Sequence, residues 1–211
     1  MLKILLSILL FTVSSFALTL DQVRADLKKS AMAQDSTEMQ IRTTVNSKAG
    51  KQIVSIYMVK KGDSKMYIEM KGPFMNQRSI VNGSRMKVVD LNTNKFQIHP
   101  YNGEALAADS YAKFNPLDSG DWREPEFVSE NLYKINGSKG VLYYDSKRKR
   151  IEKLENSNGT SSTLTTFTYD TENNLKSMEV SVIAAGVETK ITTEILALRS
   201  SKNFPDKLFE F

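Results

Sequence analysis

Few residues in this chain are equipped for chemistry. There is one histidine, His99, and no cysteine, so a Cys/His metal site is excluded. A Ser-His-Asp arrangement would have to use His99, which stands beside Pro100 at the end of a short apolar run. No G-x-S-x-G turn is present to hold a serine nucleophile. Glu124 and Glu126 are close in sequence, but carboxylates on strand faces are common and nothing here drives these two into one pocket. A glycine-rich phosphate loop is also missing. These observations point away from an enzyme, and no cofactor is expected.

What remains is apolar. Met66, Ile68 and Met70 alternate with Tyr67, Glu69 and Lys71, the period-two pattern of a half-buried strand. Gly72-Pro73 interrupts the run. A second short strand, residues 77–81, meets Asn82-Gly83, a strong hairpin signal. Met86, Val88 and Leu91 follow, then Asn92-Thr93-Asn94, then Phe96 and Ile98. The chain has nine methionines, and Met39, Met58, Met66, Met70, Met75, Met86 and Met178 lie in or next to predicted strands. Methionine adapts to irregular apolar shapes, which suits it to promiscuous binding surfaces as well as to cores. The candidate lining of a hydrophobic cavity is therefore Met39, Ile56, Met58, Met66, Ile68, Met70, Met86, Val88, Phe96 and Ile98.

Positioning such a face takes a sheet. Residues 39–45 and 52–59 flank a turn at Ser47-Lys48-Ala49-Gly50. Further strands are predicted at 127–135, 140–144, 151–155, 162–169, 175–183 and 189–198, with Asn136-Gly137 and Asn158-Gly159 among the turns. The reading is mainly β: an up-and-down antiparallel sheet of about eleven strands, curled or barrel-like. One helix precedes it. Thr19 and Gln22 have capping-box spacing, and Leu20, Val23, Leu27 and Ala31 form an apolar stripe over residues 20–33. The long connection at residues 102–121 is a candidate lid, carrying Leu106, Tyr111 and Phe114. Trp122, the only tryptophan, stands just past it, either as a plug of the core or as part of the lid.

At 211 residues the chain makes one domain with a sizeable core. The formal charge is +5, from 29 basic and 24 acidic residues, with the bases scattered along strands. That is a solvated sheet face rather than a nucleic-acid patch. The exception is Lys147-Arg148-Lys149-Arg150, on a predicted hairpin turn. The first residues read as a secretory signal: Lys3, an apolar run from Ile4 to Val13, and Ser15-Phe16-Ala17 as a cleavage pattern. Residues 1–17 are expected to be removed near Ala17, leaving residues 18–211 as a monomeric domain in an exported compartment, most simply a periplasm.

With these pieces in order, the chain resembles the LolA family of periplasmic carriers of outer-membrane lipoproteins. The resemblance rests on the helix after a signal peptide, on "VKKGDSKMYIEMKGP", on "SIVNGSRMKVVDLNTNKFQ" and on "NFPDKLFEF" near the end. It implies an unclosed barrel of about eleven strands, with short helices covering a hydrophobic cavity for acyl chains of lipoproteins or another lipid. It also implies an inner-membrane release complex and an outer-membrane acceptor as partners. The family often has an Arg-Pro pair whose arginine helps hold the lid closed; here the aligned pair is Gly72-Pro73. Lys71 lacks the guanidinium fork and by alternation faces away from Met70. Met86-Lys87-Val88 stands where the family often carries aromatics. Two other readings share the pattern: a sensor of lipid or mislocalised lipoprotein with the same fold, and a small outer-membrane barrel.

Overall fold

The computed structural model describes residues 18–30, 36–103, 115–200 and 204–211. The signal-peptide residues, the lid candidates Leu106, Tyr111 and Phe114, and residues 31–33 of the expected helix lie outside them.

Helix α1 spans Leu20–Ser30. Its capping box is formed as the spacing predicts: the Gln22 amide donates to Thr19 Oγ1 at 3.3 Å, and the Thr19 amide donates to Gln22 Oε1 at 2.9 Å. A third partner comes from far along the chain. The Leu20 amide donates to the Glu124 carboxylate at 2.9 Å, which sets negative charge at the positive end of the helix dipole.

The strands are β1 (Ser36–Ser47), β2 (Gly50–Lys61), β3 (Lys65–Lys71), β4 (Asn76–Asn82), β5 (Arg85–Asp90), β6 (Phe96–Pro100), β7 (Glu126–Ser129), β8 (Leu132–Gly137), β9 (Gly140–Asp145), β10 (Arg150–Ser157), β11 (Ser161–Tyr169), β12 (Leu175–Ala184) and β13 (Val187–Ser200). They form one antiparallel sheet in the order β6-β5-β4-β3-β2-β1-β13-β12-β11-β10-β9-β8-β7. All neighbours but one are successive in the chain. The exception is β1 with β13, which joins the two arms of the meander. The free edges β6 and β7 do not pair with each other, so the sheet curls without closing. Two short 3₁₀ helices, Pro116–Asp118 and Asp206–Phe209, complete the described elements.

Among the described residues the open sheet has thirteen strands, where about eleven are expected from the sequence. Residues 127–135, which read as one strand, are split into β7 and β8 by a turn at Glu130-Asn131 that holds neither glycine nor proline. Four register shifts, in the pairs β1/β13, β9/β10, β11/β12 and β7/β8, add local bends to the twist of the sheet.

Helix α1 defines the inner face. Leu20 and Val23 pack with Ile135, Leu142, Tyr144, Ile151 and Phe167 of the sheet, and with Leu117 and Trp122 from the loop before β7. The helix is also tied down by polar bonds. The Tyr144 hydroxyl donates to Asp26 at 2.9 Å, and Lys149 reaches the other oxygen of the same carboxylate at 3.2 Å. Burial and the Asp26 carboxylate together push the Tyr144 phenol well above its usual range. The basic turn read in the sequence thus has a structural use at Lys149, while Arg148 pairs with Asp145 at 3.2 Å.

Trp122 is buried in this core, its indole N–H donating to the Ser119 carbonyl at 2.9 Å. Its ring lies over Gly137, where any Cβ would overlap it. Gly137 is therefore a glycine because of the ring above it. Gly137→Ala should lower stability by about 1–3 kcal/mol, the usual range for overpacking, as read by urea unfolding.

Candidate functional site: the methionine-rich half of the inner face

Register decides which residues share a face, because directly paired residues in antiparallel strands point the same way. One row runs Phe167, Met178, Thr193, Thr43, Val54 across β11, β12, β13, β1 and β2. It leads from the helix-covered half of the inner face to the other half without changing sides. Further along β1 and β2 the rows become more apolar. Ile195, Ile41, Ile56 and Met70 form one; Leu198, Met39, Met58, Ile68, Ser79 and Val88 form the next; Met66, Val81 and Met86 lie in a third.

Met39, Ile41, Ile56, Met58, Met66, Ile68 and Val81 make a second buried cluster, and Val54, Met70, Met86, Tyr101 and Ile195 pack against it. Among the described residues it contains no side chain of α1. Between the two clusters the Thr43 and Thr193 hydroxyls are hydrogen-bonded at 3.2 Å. The inner face thus carries two apolar basins: one filled by the helix, and one rich in methionine.

Seven of the ten candidate lining residues, Met39, Ile56, Met58, Met66, Ile68, Met70 and Met86, fall in the second basin or pack on it. Val88 is on the same face by its pairing with Ser79, but it lies at the rim of an open hollow of about 720 Å³ with Gln77, Asp90 and Gln97. Phe96 and Ile98 do not belong with them. Phe96 pairs with Val89 and Ile98 with Lys87, which places both on the outer face, 58% and 42% exposed, with the Lys87 ammonium 4.6 Å from the Phe96 ring. Val81, Ile41, Val54, Tyr101 and Ile195 are the residues that the sequence reading missed. Ile41 and Val54 each sit two places from a chosen residue. Val81 ends an inner-facing row that otherwise holds Gln77 and Ser79, which hides its period-two signal.

The other sequence candidates find separate positions. His99 is exposed on the edge strand β6, paired with Met86. Glu124 caps helix α1 and Glu126 accepts from the Asn136 side chain at 3.0 Å, so the two carboxylates have different structural partners. No group of three or more His, Cys, Asp or Glu residues among those described is placed to hold a metal. Trp122 belongs to the helix-covered core. Gly72 sits at the end of β3 with its Cβ direction towards Val54, whose Cγ2 would lie 3.0 Å from an added Cβ. An added side chain there would need Val54 to give by a few tenths of an ångström.

Lys71 faces outward as expected, where it binds Glu69 at 2.6 Å. Lys71 is the largest influence on this carboxylate, with Tyr67 and Arg78 as further donors, and together they pull it down to about 2 from 4.5. Burial and the same carboxylate push the Tyr67 phenol up to about 12. The folded state therefore favours ionised Glu69 more than the unfolded chain does. Its contribution is complete above about pH 4.5 and is lost as pH falls towards 2. Glu69→Gln should cost about 1–2 kcal/mol at neutral pH, discounted for a partly solvated cluster, and should flatten the acid limb of the stability profile in that window.

No protein-family model matches the chain, and no curated protein matches its sequence. Solved structures do match its shape. A LolA superfamily protein from Nitrosomonas europaea superposes with a TM-score of 0.56 at 13% identity, covering 92% of this chain and 99% of that one. A protein described as an outer membrane lipoprotein-sorting domain, from Vibrio parahaemolyticus, gives 0.52 at 10% identity, covering 89% and 94%. At such identities the likeness speaks for the fold: this chain has a divergent LolA-like open antiparallel sheet.

Proposed function

We propose that the protein is a carrier that shelters acyl chains on the methionine-rich half of its inner face. In this reading it works in the periplasm and moves lipoproteins, or another acylated lipid, from the inner towards the outer membrane. The observation that supports it most is the second basin: an inward apolar surface, on a LolA-like sheet, that helix α1 does not fill. Burying an acyl chain is worth about 0.8 kcal/mol per methylene. A face of Met, Ile and Val can supply that without directional bonds, and methionine can repack around chains of different length. Release would be received by an acceptor on the outer-membrane side, and loading would come from an inner-membrane complex.

The outer face argues against a lipid-embedded barrel. Its row Tyr57, Glu69, Arg78, Val89, Phe96 carries a salt-bridged pair in mid-sheet, and the edges β6 and β7 remain open. Both would be costly in hydrocarbon. The experiment for the carrier reading is mass spectrometry of lipid that copurifies with the protein from its native host without detergent. Acylated lipid or lipoprotein in stoichiometric amount is the expected result. A lipid-free protein that also fails to take up a fluorescent fatty acid would refute the reading.

A further inference from the structure

We infer that one end of the sheet, built from the β3–β4, β1–β2 and β12–β13 turns, docks on the surface of an anionic phospholipid bilayer. The strands β4, β3, β2, β1, β13 and β12 are consecutive neighbours, and their antiparallel pairing brings these three turns to the same end. Side by side, adjacent turns are about 10 Å apart, twice the strand spacing, and the β3–β4 turn stands back along β2, since Lys71 pairs with Ser55 while β2 begins at Gly50.

Two of the three tips, β3–β4 and β12–β13, are apolar where turns are usually polar, while the β1–β2 tip is Ser47-Lys48-Ala49-Gly50. The Gly72 amide donates to the Met75 carbonyl at 2.7 Å, which closes the β3–β4 turn and leaves Pro73 and Phe74 outermost. Phe74 is 87% exposed and Met75 46%, while Ile53 on β2 and Ile183 on β12 are 43% and 47% exposed near the same end. The other strongly exposed rings lean on a neighbour. Phe127 packs edge-on to Tyr133 at 5.8 Å, and Arg85 covers Phe211 at 5.2 Å. Phe74 has no such partner among the described residues. In the β12–β13 turn Ala185 holds a left-handed backbone, φ +50°, a position that favours Asn or Gly. Turn chemistry accounts for neither a phenylalanine at one tip nor an alanine at the other.

Charge selects the partner. Lys48 lies in the β1–β2 turn and Lys51 at the start of β2, Lys71 beside the β3–β4 turn is already paired with Glu69, and residues 46–53 and 71–76 include no Asp or Glu. Lys48 and Lys51 have no carboxylate partner among the described residues. Acids do stand at this end, Asp90 at the neighbouring β5–β6 turn and Glu188 after the β12–β13 turn, but the β1–β2 and β3–β4 turns themselves hold none. An exposed apolar tip at Phe74 beside Lys48 and Lys51, unpaired among the described residues, matches a surface that is apolar in depth and negative at its rim, which describes an anionic bilayer. A protein partner would instead need a complementary pocket for Phe74, and it becomes an outcome of the test. The docking end does not depend on the acyl-carrier reading, because none of its residues lines the methionine basin.

The test is co-sedimentation of the purified protein with vesicles of phosphatidylethanolamine and phosphatidylglycerol in equal parts, against vesicles of phosphatidylcholine alone. Wild type should bind the anionic vesicles, more weakly as salt rises, and bind phosphatidylcholine poorly. Phe74→Glu should lower the affinity at least about tenfold, and Lys48→Gln and Lys51→Gln about fivefold each, with circular dichroism unchanged since all three side chains are exposed. Fatty-acid uptake, measured on the same variants, should stay at the wild-type level; a failure of the carrier reading would show there and not in sedimentation. Wild type that sediments with neither vesicle would overturn the inference, as expected if Phe74 serves a protein partner. Phe74→Glu that binds as wild type would overturn it as well.

Discussion

Ile68→Asp should abolish acyl-chain binding. Ile68 is almost completely buried in the second basin, between Met58 of β2 and Ser79 of β4. A carboxylate there faces methionine and isoleucine side chains and has no cation in its row. Burying it ionised costs several kcal/mol, so the group would either protonate or draw water into the basin. Either outcome removes the dry apolar surface that an acyl chain needs. The same change is expected to lower stability by about 3 kcal/mol or more, so it is best accompanied by a milder one. Met70→Glu serves, because Met70 is only partly buried at the edge of the cluster. Fluorescent fatty-acid titration of both, with urea unfolding as control, should show loss of binding in each and severe destabilisation in Ile68→Asp alone. Met70→Glu that stays folded and binds as tightly as wild type would move the site away from this face.

Trp122→Ala should have the opposite signature. Trp122 is locked into the helix-covered core, with its indole N–H bonded to the Ser119 carbonyl and its ring over Gly137. Truncation should lower stability by about 3–5 kcal/mol, the range for a large aromatic removed from a packed site. Fatty-acid affinity of the fraction that remains folded should stay unchanged. Met70→Glu and Trp122→Ala thus separate the two basins, the first by binding and the second by stability. A Trp122→Ala protein with wild-type stability but faster ligand release would instead assign this residue to a lid.

The sequence showed the architecture more clearly than the membership of the site. Alternation over Met66, Ile68 and Met70 and the capping box at Thr19 encode local geometry and are found in the structure, whereas the hairpin signalled by Asn82-Gly83 turns one place later, at Gly83-Ser84, with Asn82 paired to Arg85. Phe96 and Ile98 show where local reading fails. Their even numbers continue the parity of Met86 and Val88, but the four residues between the bonded positions Asp90 and Lys95 reverse it, so Gln97 and His99 turn inward instead. Parity across a hairpin depends on the number of residues in the turn, which composition does not show. The β1–β13 pairing is equally hidden, since it joins residues more than a hundred positions apart. That pairing is what places Ile195 beside Ile41 and gives the inner face its two basins. Tyr144 and Asp26 likewise meet across 118 positions, so the polar anchor of α1 has no local signal.

The most direct measurement of the central claim is a methyl spectrum of the protein labelled with carbon-13 at its methionine methyl groups, recorded during titration with dodecanoic acid. The methionines report on distinct places: Met58, Met66, Met70 and Met86 on the second basin, Met178 on the helix-covered core, and Met75 on the β3–β4 tip. An acyl chain held on the methionine-rich half of the inner face should shift the first group in saturable fashion and leave Met178 and Met75 in place. Shifts confined to Met178, or none at saturating ligand, would contradict it.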